Sequence, residues 1–366
     1  MAVSSSNGTG LERVELAGTS REIGLQHGRL LAGKIRSQIE VYGNMFLHTS
    51  KLDWKAVREV AKEYAGPIER LTPDLYAEMQ GIADGAGLEL MDIVALNCRS
   101  EIALGHFSDG CTSLGWKTQK EGVILAQNWD WTEPVKRNLV LMSIARPGYP
   151  KIFMITEAGI VGKIGFNSAS VGTCLNAIRA KPTDASKLPI HIALRICLDS
   201  RSSSAAIAKL EALGGIASSA HILLADVDDG PRSLELSPRG NVYISPDARG
   251  IVCHSNHFIE NRHVVEPPWL SGSAARLERI RALTADLADE GTPLTAALLR
   301  DRVFADTFNA PQAICCQEDP ETPEVMRSST AFNIITRFVR GEEPSAELVY
   351  GRPGSGEEGP VLKMPW

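Results

Sequence analysis

Asp109-Gly-Cys-Thr-Ser-Leu-Gly-Trp116, followed shortly by Gln127-Asn-Trp-Asp-Trp131, is the stretch whose reading decides the fold. Upstream of it the apolar residues recur at helical spacing, and downstream they alternate as in strands. The change of character falls at Cys111. A cut before this residue would leave a cysteine with two chemical tools. Its thiol can attack a carbonyl, and a free α-amine, of pKa about 8 when unperturbed, can take and return the proton. Gly110 has no side chain to hinder attack on its own carbonyl, and Thr112 and Ser113 add hydroxyls for proton transfer. On a strand over 111–117, Cys111, Ser113 and Gly115 share one face. The tripeptide Gly-Cys-Thr also fits a buried cysteine that merely opens a core strand, since free cysteines are commonly buried.

Alternation over Ile124–Trp131 puts Asn128 and Asp130 on one face, and Gln127, Trp129 and Trp131 on the other. Two short polar groups on a mostly apolar strand need partners when buried. A carboxylate near an N-terminal amine raises the pKa of the ammonium unless desolvation lowers it again. An Asn/Asp-rich turn at the strand end is the plainer alternative. Further on, Val252-Cys-His-Ser-Asn-His257 holds residue types that ligate metals. Strand alternation turns His254 and Asn256 one way and Cys253, Ser255 and His257 the other, which scatters a ligand set and argues against a metal. The Asn256 amide suits oxyanion stabilisation, because its NH2 can point at a carbonyl oxygen that gains charge.

The Ser/Gly/Asn-rich residues 1–10 read as disordered. A strand over 11–17 precedes Gly18-Thr-Ser-Arg-Glu-Ile-Gly24, where Thr19 or Ser20 can cap a helix with Glu22 in its first turn. Leu30, Leu31, Ile35, Ile39, Tyr42 and Phe46 continue at helical spacing. Further helices are predicted over 53–70, 73–86 and 89–98. After Cys111, strands are predicted over 111–117, 122–131, 139–145, 152–156, 162–167 and 171–176, with Phe166-Asn-Ser-Ala169 as a tight hairpin turn. A helical section over 190–213 interrupts them. Strands resume over 220–226, 232–237, 241–245 and 250–254. Helices over 272–290 and 294–303 follow, then strands over 330–339 and 346–350. Runs of strands between runs of helices make an α+β protein rather than a strict βαβ repeat.

A chain of 366 residues can bury a large core, and shares of 43% hydrophobic and 22% charged residues are those of a soluble globular protein. The net charge of −6 and pI near 5.8, without a basic cluster, argue against nucleic acid as a partner. No basic segment precedes an apolar one at the start, and no run of the ~18 apolar residues needed for a membrane span occurs. The ending Lys-Met-Pro-Trp is not a peroxisomal address. A cytoplasmic location with no membrane partner is therefore expected. Seven scattered cysteines, with no CxxC pair, read as reduced thiols rather than a disulfide framework.

Longer motifs occur in order: Gly18-Thr-Ser-Arg-Glu-Ile-Gly-Leu-Gln-His-Gly28, Asp109-Gly-Cys-Thr112, Gln127-Asn-Trp-Asp130 and Ile155-Thr-Glu-Ala-Gly-Ile-Val-Gly-Lys-Ile-Gly-Phe-Asn-Ser168. His191-Ile-Ala-Leu-Arg195, His254-Ser-Asn-His257 and Phe332-Asn-Ile-Ile335 complete the set. With them the chain resembles, from about residue 11 to 353, the acyl-coenzyme A:6-aminopenicillanic acid acyltransferase (isopenicillin N acyltransferase) family. That family belongs to the N-terminal-nucleophile hydrolases and is of the peptidase C45 type. The resemblance implies a four-layer αββα sandwich, made as a zymogen that cuts itself before the cysteine of Asp-Gly-Cys-Thr. It implies residues 1–110 as a helical α subunit and 111–366 as the catalytic β subunit, kept together as an αβ heterodimer.

Carried over position by position, the resemblance makes Cys111 the nucleophile and Gly110–Cys111 the scissile bond. Asp130 orients the new amine and assists autoprocessing, and Asn256 helps form the oxyanion hole. Asn176, in Cys-Leu-Asn-Ala, matches an Asn used for substrate or oxyanion contact in the wider bile-salt hydrolase and penicillin acylase group. Arg327 sits where the family has an Arg shortly before its Phe-Asn-Ile-Ile strand, and there it could pair with a substrate carboxylate. A solvent-exposed loop Arg is the other reading of it. No metal or redox cofactor is implied; a coenzyme A thioester enters as a candidate substrate.

The implied activity is acyl transfer or amide hydrolysis through a thioester acyl-enzyme, on a small-molecule amide or acyl-CoA. The alternative is an N-acyl amine amidohydrolase similar to β-alanyl-dopamine hydrolase. A third reading keeps the chain uncut as a binding protein. The segment 258–270 and Pro320-Glu-Thr-Pro-Glu324 follow the family less closely, and they are expected to border the acyl pocket.

Overall fold

The computed structural model describes residues 3–6, 11–103, 110–268 and 272–366. Asp109 and residues 7–10 lie outside these. The chain opens with β1 (Val3–Ser6) and β2 (Glu12–Ala17), then α1 (Ser20–Thr49), α2 (Trp54–Leu71), α3 (Pro73–Ala86), α4 (Leu90–Asn97) and α5 (Arg99–Ala103). At the start of α1 the Thr19 side chain accepts from the Glu22 N–H, while the Glu22 carboxylate accepts from the Thr19 N–H at 2.8 Å. Asp53 caps α2, and Pro73 occupies the first turn of α3.

Residues 3–6 correct the expectation of disorder; 1–2 and 7–10 lie outside the described residues. Val3–Ser6 pairs antiparallel with β2. The outer edge of β2 offers unpaired backbone groups, and four residues without Gly or Pro suffice to fill it.

α1 and α3 meet through glycines. A methyl group on Gly24 would sit 2.0 Å from the Glu78 carbonyl oxygen, and one on Gly85 would sit 2.4 Å from that of Leu25. Only glycine allows the two backbones to approach this closely. The approach carries Glu78 to Arg195, far along the chain.

Beyond Cys111 come β3 (Gly110–Lys117), β4 (Val123–Thr132), α6 (Glu133–Lys136), β5 (Leu139–Ala145), β6 (Ile152–Glu157), β7 (Ile164–Asn167) and β8 (Val171–Ala177). Then follow α7 (Ile190–Leu198), α8 (Ser203–Ala212), β9 (Ala220–Asp226), β10 (Gly230–Leu236), β11 (Val242–Ile244) and β12 (Ile251–His254). The chain closes with α9 (Ser273–Glu290), α10 (Ala296–Leu299), β13 (Ser328–Phe338), β14 (Ser345–Tyr350) and β15 (Leu362–Met364). The expected helix over 190–213 is two helices, because the Ser202 hydroxyl caps a fresh start by accepting from the Ala205 N–H at 3.1 Å. The short β15 was not foreseen.

Among the described residues, nine strands form one sheet, in the order β1-β2-β5-β6-β7-β8-β9-β10-β11, and six form the other, β12-β3-β4-β13-β14-β15. Among these strands only β2 and β5 pair in parallel. The sheets stack with β3 and β4 against β8 and β9. α1, α7 and α8 pack on the outer face of the larger sheet, with α2–α5 against them, and α9 packs on the outer face of the smaller. This is the expected αββα sandwich.

Alternation along β4 divides its side chains between two cores. Val123, Leu125, Trp129 and Trp131 join the core shared with the nine-stranded sheet, while Ile124 and Ala126 meet Leu277 and Ile280 of α9. Gln127 ties the sheets together. Its Nε2 donates to the Leu175 carbonyl at 2.6 Å and its Oε1 accepts from the Leu175 N–H at 3.1 Å.

Candidate active site

The β3–β4 ladder sets Gly110 opposite Asp130 and Cys111 opposite Trp129. Pleating then sends the side chains of neighbouring residues to opposite faces. Cys111, fully buried, points with Ser113 into the space between the sheets. Asp130 points with Asn128 towards the helical side, where Asn128 donates to the carbonyls of Phe304 and Ile314 at 2.8 and 2.9 Å. Both faces match the expected alternation.

Two side chains clamp the backbone of Cys111. Its N–H donates to Asn256 Oδ1 at 2.8 Å, and its carbonyl accepts from Arg276 Nη1 at 2.6 Å. Arg276 also donates to Thr112 Oγ1 at 3.0 Å and to Asn256 Oδ1 at 2.9 Å. Asn256 is fixed in turn, its Nδ2 donating to the Ala177 carbonyl at 3.0 Å and its N–H to Ser273 Oγ at 2.9 Å. Two donors converging on Oδ1 establish which end of the amide faces Cys111. Asn256 therefore offers its oxygen to the Cys111 nitrogen.

Asp130 lies alongside the Gly110–Cys111 bond. Its Oδ1 accepts from Thr330 Oγ1 at 2.6 Å, and Thr330 Oγ1 accepts from the Cys316 N–H at 2.9 Å. Asn176 sits deeper, its Oδ1 accepting from Ser113 Oγ at 2.8 Å and contacting His221 Nδ1 at 2.9 Å. Its Nδ2 has no partner among the described residues, which leaves a buried donor near the thiol's face of β3. Arg327 is placed otherwise. Its guanidinium donates to the carbonyls of Thr322 and Pro320, both at 2.8 Å, and so braces the loop before β13.

A cavity of about 240 Å³ opens here, with Gly110, Asp130, Arg179, Asn256, Arg276 and Met326 in its wall. Glu266, Pro267 and Pro268 line it too, as do Asp319 and Thr322. The two segments that follow the family least closely thus border the cavity.

The clamp by Arg276 was not read from the sequence. Its position on the α9 face that buries Leu277, Ile280 and Thr284 is the available signal, since a buried Arg demands acceptors. Lys163 was passed over as well, although a lysine just ahead of the apolar strand β7 is a similar sign. It is fully buried and ion-paired to Glu157. Glu157 also accepts from Tyr42 Oη at 2.6 Å, Gln38 Nε2 at 2.7 Å and Arg99 Nη2 at 2.9 Å. Although burial works to raise it, Arg99 and Lys163 hold the Glu157 carboxyl well below the usual range.

The other cysteines are held as thiols. Burial pushes Cys315 up to about 11, Cys197 and Cys253 to about 12, and Cys98, Cys174 and Cys316 further up. A thiol so held is a poor nucleophile. Among the described residues no three His, Cys, Asp or Glu side chains converge as metal ligands, and no helix is long and apolar enough to cross a membrane.

The class that fold and site define is an αββα sandwich with a cysteine at the head of an inner strand, its backbone clamped beside a cavity. Residues 116–318 match the model of the acyl-coenzyme A:6-aminopenicillanic acid acyl-transferase family. The acyl-coenzyme A:6-aminopenicillanic-acid-acyltransferase 40 kDa form of Emericella nidulans is 35% identical over 350 residues, which covers 94% of each chain. The chain belongs to this family and is an enzyme. Among solved structures, the C2A mutant of the conjugated bile acid hydrolase from Clostridium perfringens superposes with a TM-score of 0.49 at 10% identity, over 69% of this chain and 92% of that one. Penicillin V acylase from Agrobacterium tumefaciens gives 0.41 at 15% identity, over 66% of this chain and 83% of that one.

Proposed function

We propose that the chain cuts itself between Gly110 and Cys111, and that the freed Cys111 then transfers an acyl group from a coenzyme A thioester to a small amine of the 6-aminopenicillanic acid type. The observation that carries this reading is the clamp. Asn256 and Arg276, which line the cavity together with Gly110 and Asp130, fix the nitrogen and carbonyl of Cys111.

In the maturation step the Cys111 thiol adds to the Gly110 carbonyl, the peptide C–N bond breaks, and water hydrolyses the thioester. The nitrogen that Asn256 Oδ1 now holds becomes the α-amine. In turnover that amine takes the thiol proton, the thiolate attacks the acyl donor, and the acyl-enzyme passes its acyl group to the acceptor amine. Asp130, beside the same bond, orients the amine. Asn176 Nδ2, which lacks a partner among the described residues, and Asn256 Nδ2 are the donors assigned to the oxyanion. Arg179 in the cavity wall suits an acceptor that carries a carboxylate.

Contacts across the cut support an αβ heterodimer. Glu78 pairs with Arg195 through both oxygens at 2.8 and 2.9 Å, Arg99 pairs with Glu157, and Asn97 Nδ2 donates to the Gly159 carbonyl at 2.9 Å.

Denaturing mass spectrometry of the wild type beside Cys111→Ala is the test. Two fragments in the wild type, the larger starting at Cys111, and an intact chain in the variant are expected. An intact wild-type chain overturns the reading. Incubation with an acyl-CoA and an amine, then with an N-acyl amine alone, separates transfer from hydrolysis.

A further inference from the structure

Self-cleavage poses a problem that turnover does not. Before the cut the Cys111 nitrogen is locked in a peptide bond and donates to Asn256, so it cannot serve as the base for its own thiol. Asp130 lies on the opposite face of the β3–β4 ladder from the thiol. On the thiol's own face stands Lys163. Its Nζ is fully buried and lies 3.9 Å from the centre of the Trp129 ring, and Trp129 is the cross-strand partner of Cys111. Glu157 holds the other side of the ammonium, and the Lys163 carbonyl is fixed by Thr173 Oγ1 at 3.1 Å. A methyl group on the preceding Gly162 would sit 2.4 Å from the His191 carbonyl oxygen, so the segment has no room to swing aside.

We infer that Lys163 is the proton acceptor for the Cys111 thiol in the uncut chain. The inference rests on Cys111 being the self-cleaving nucleophile. The neutral amine of Lys163 takes the Sγ proton, and the thiolate forms a bond to the Gly110 carbonyl carbon. The C–N bond then breaks, its electron pair stays on the Cys111 nitrogen, and the proton returns there to complete the new amine. Water next adds to the thioester carbonyl and the S–C bond breaks, leaving the Gly110 carboxylate and the free thiol.

The charges around Lys163 suit this task. Burial pushes it down to about 8, while Glu157 of β6 and Cys111 of β3 pull it up and Arg99 of α5 pushes it down. Tyr42 of α1 stays protonated against Glu157, and His191 of α7 is kept neutral by burial and by the neighbouring Arg99 and Lys163 cations. A lysine so placed is neutral in a useful fraction near neutral pH.

The test follows cleavage of freshly synthesised chains, made by cell-free translation and shifted to a range of pH, with fragments counted by mass spectrometry. For the wild type the rate should climb about tenfold per pH unit and level off near the Lys163 value of about 8. Lys163→Arg keeps the cation beside Glu157 but cannot release a proton, and Lys163→Met removes the base. Each should slow cleavage by about 10²-fold or more, with circular dichroism reporting whether the fold is kept. Wild-type rates in a folded Lys163→Arg chain overturn the inference. If neither variant folds, the wild-type profile decides, and a rate flat from pH 6 to about 9 overturns it. A wild type that never cleaves sinks the nucleophile reading instead, which is a separate outcome.

Discussion

The Asp130 carboxylate fills the space that a side chain on Gly110 would need. A methyl group there would sit 2.5 Å from Asp130 Oδ2, well inside contact distance. The carboxylate is buried and tied to Thr330, so it has little room to yield. Gly110→Ala should therefore displace the scissile carbonyl from the thiol. A displacement on the order of 1 Å costs about 10²-fold in rate, and pulse-chase mass spectrometry should show the intact chain persisting. Cleavage of Gly110→Ala at the wild-type rate would show that Asp130 does not confine the bond.

Arg276 reaches three acceptors at once, the Cys111 carbonyl, Thr112 Oγ1 and Asn256 Oδ1. Lysine has one compact donor head and cannot span all three. Arg276→Lys should lower kcat by about 10²-fold through misorientation, with a much smaller change in KM for the acyl donor. A rise in KM alone would place Arg276 among substrate contacts rather than in the clamp.

Glu78 and Arg195 form a two-pronged ion pair, both fully buried and on opposite sides of the proposed cut. Removing one partner strands a charge, at a cost of about 3 kcal/mol or more. Glu78→Gln should lower the urea midpoint markedly and let the two fragments separate earlier on denaturing size exclusion. An unchanged midpoint would mean that Asp199, which also contacts Arg195, takes over the charge.

Stability should fall as the solution is acidified from about pH 6.5 towards 4. Burial, with Arg195 assisting, pushes His27 down to about 3, and burial with His254 pushes His257 down to about 4. Burial drives His191 and His221 well below the ordinary value as well. In this window the unfolded chain binds protons that the native histidines refuse, so stability is present above about 6.5 and lost on acidification. The buried carboxyls of Glu78 and Glu101 are raised and work the other way, but they are two against four. Urea titrations at pH 7.5 and pH 5 check the sign; a higher midpoint at the lower pH contradicts it.

The fold was largely legible because its cues are local. Thr19 and Glu22 spell a cap, Pro73 opens a helix, and the alternation around Trp129 puts Asp130 and Cys111 in their layers. The resemblance pointed to Cys111, Asp130 and Asn256 as a set, and the structure brings them together. The rest depends on contacts distant in sequence. Nothing in the local pattern of α9 says that Arg276 ends on the Cys111 carbonyl, 165 residues away. The glycines of α1 and α3 look like helix weakeners until the two helices are laid together. Arg327, whose place before a familiar strand left both a ligand contact and a loop Arg open, donates to carbonyls of its own loop.

The parallel pairing of β2 with β5 has a consequence for the life history of the molecule. One strand precedes Cys111 and the other follows it, so the larger sheet is sewn from both sides of the proposed cut. While the chain is whole, these strands find each other at the high effective concentration of a tether. Once it is cut, any refolding is an encounter of two separate polypeptides, dependent on dilution and open to aggregation. If the proposed cut is made, the sandwich must be assembled before it, and a cleaved molecule that unfolds has no equally easy way back.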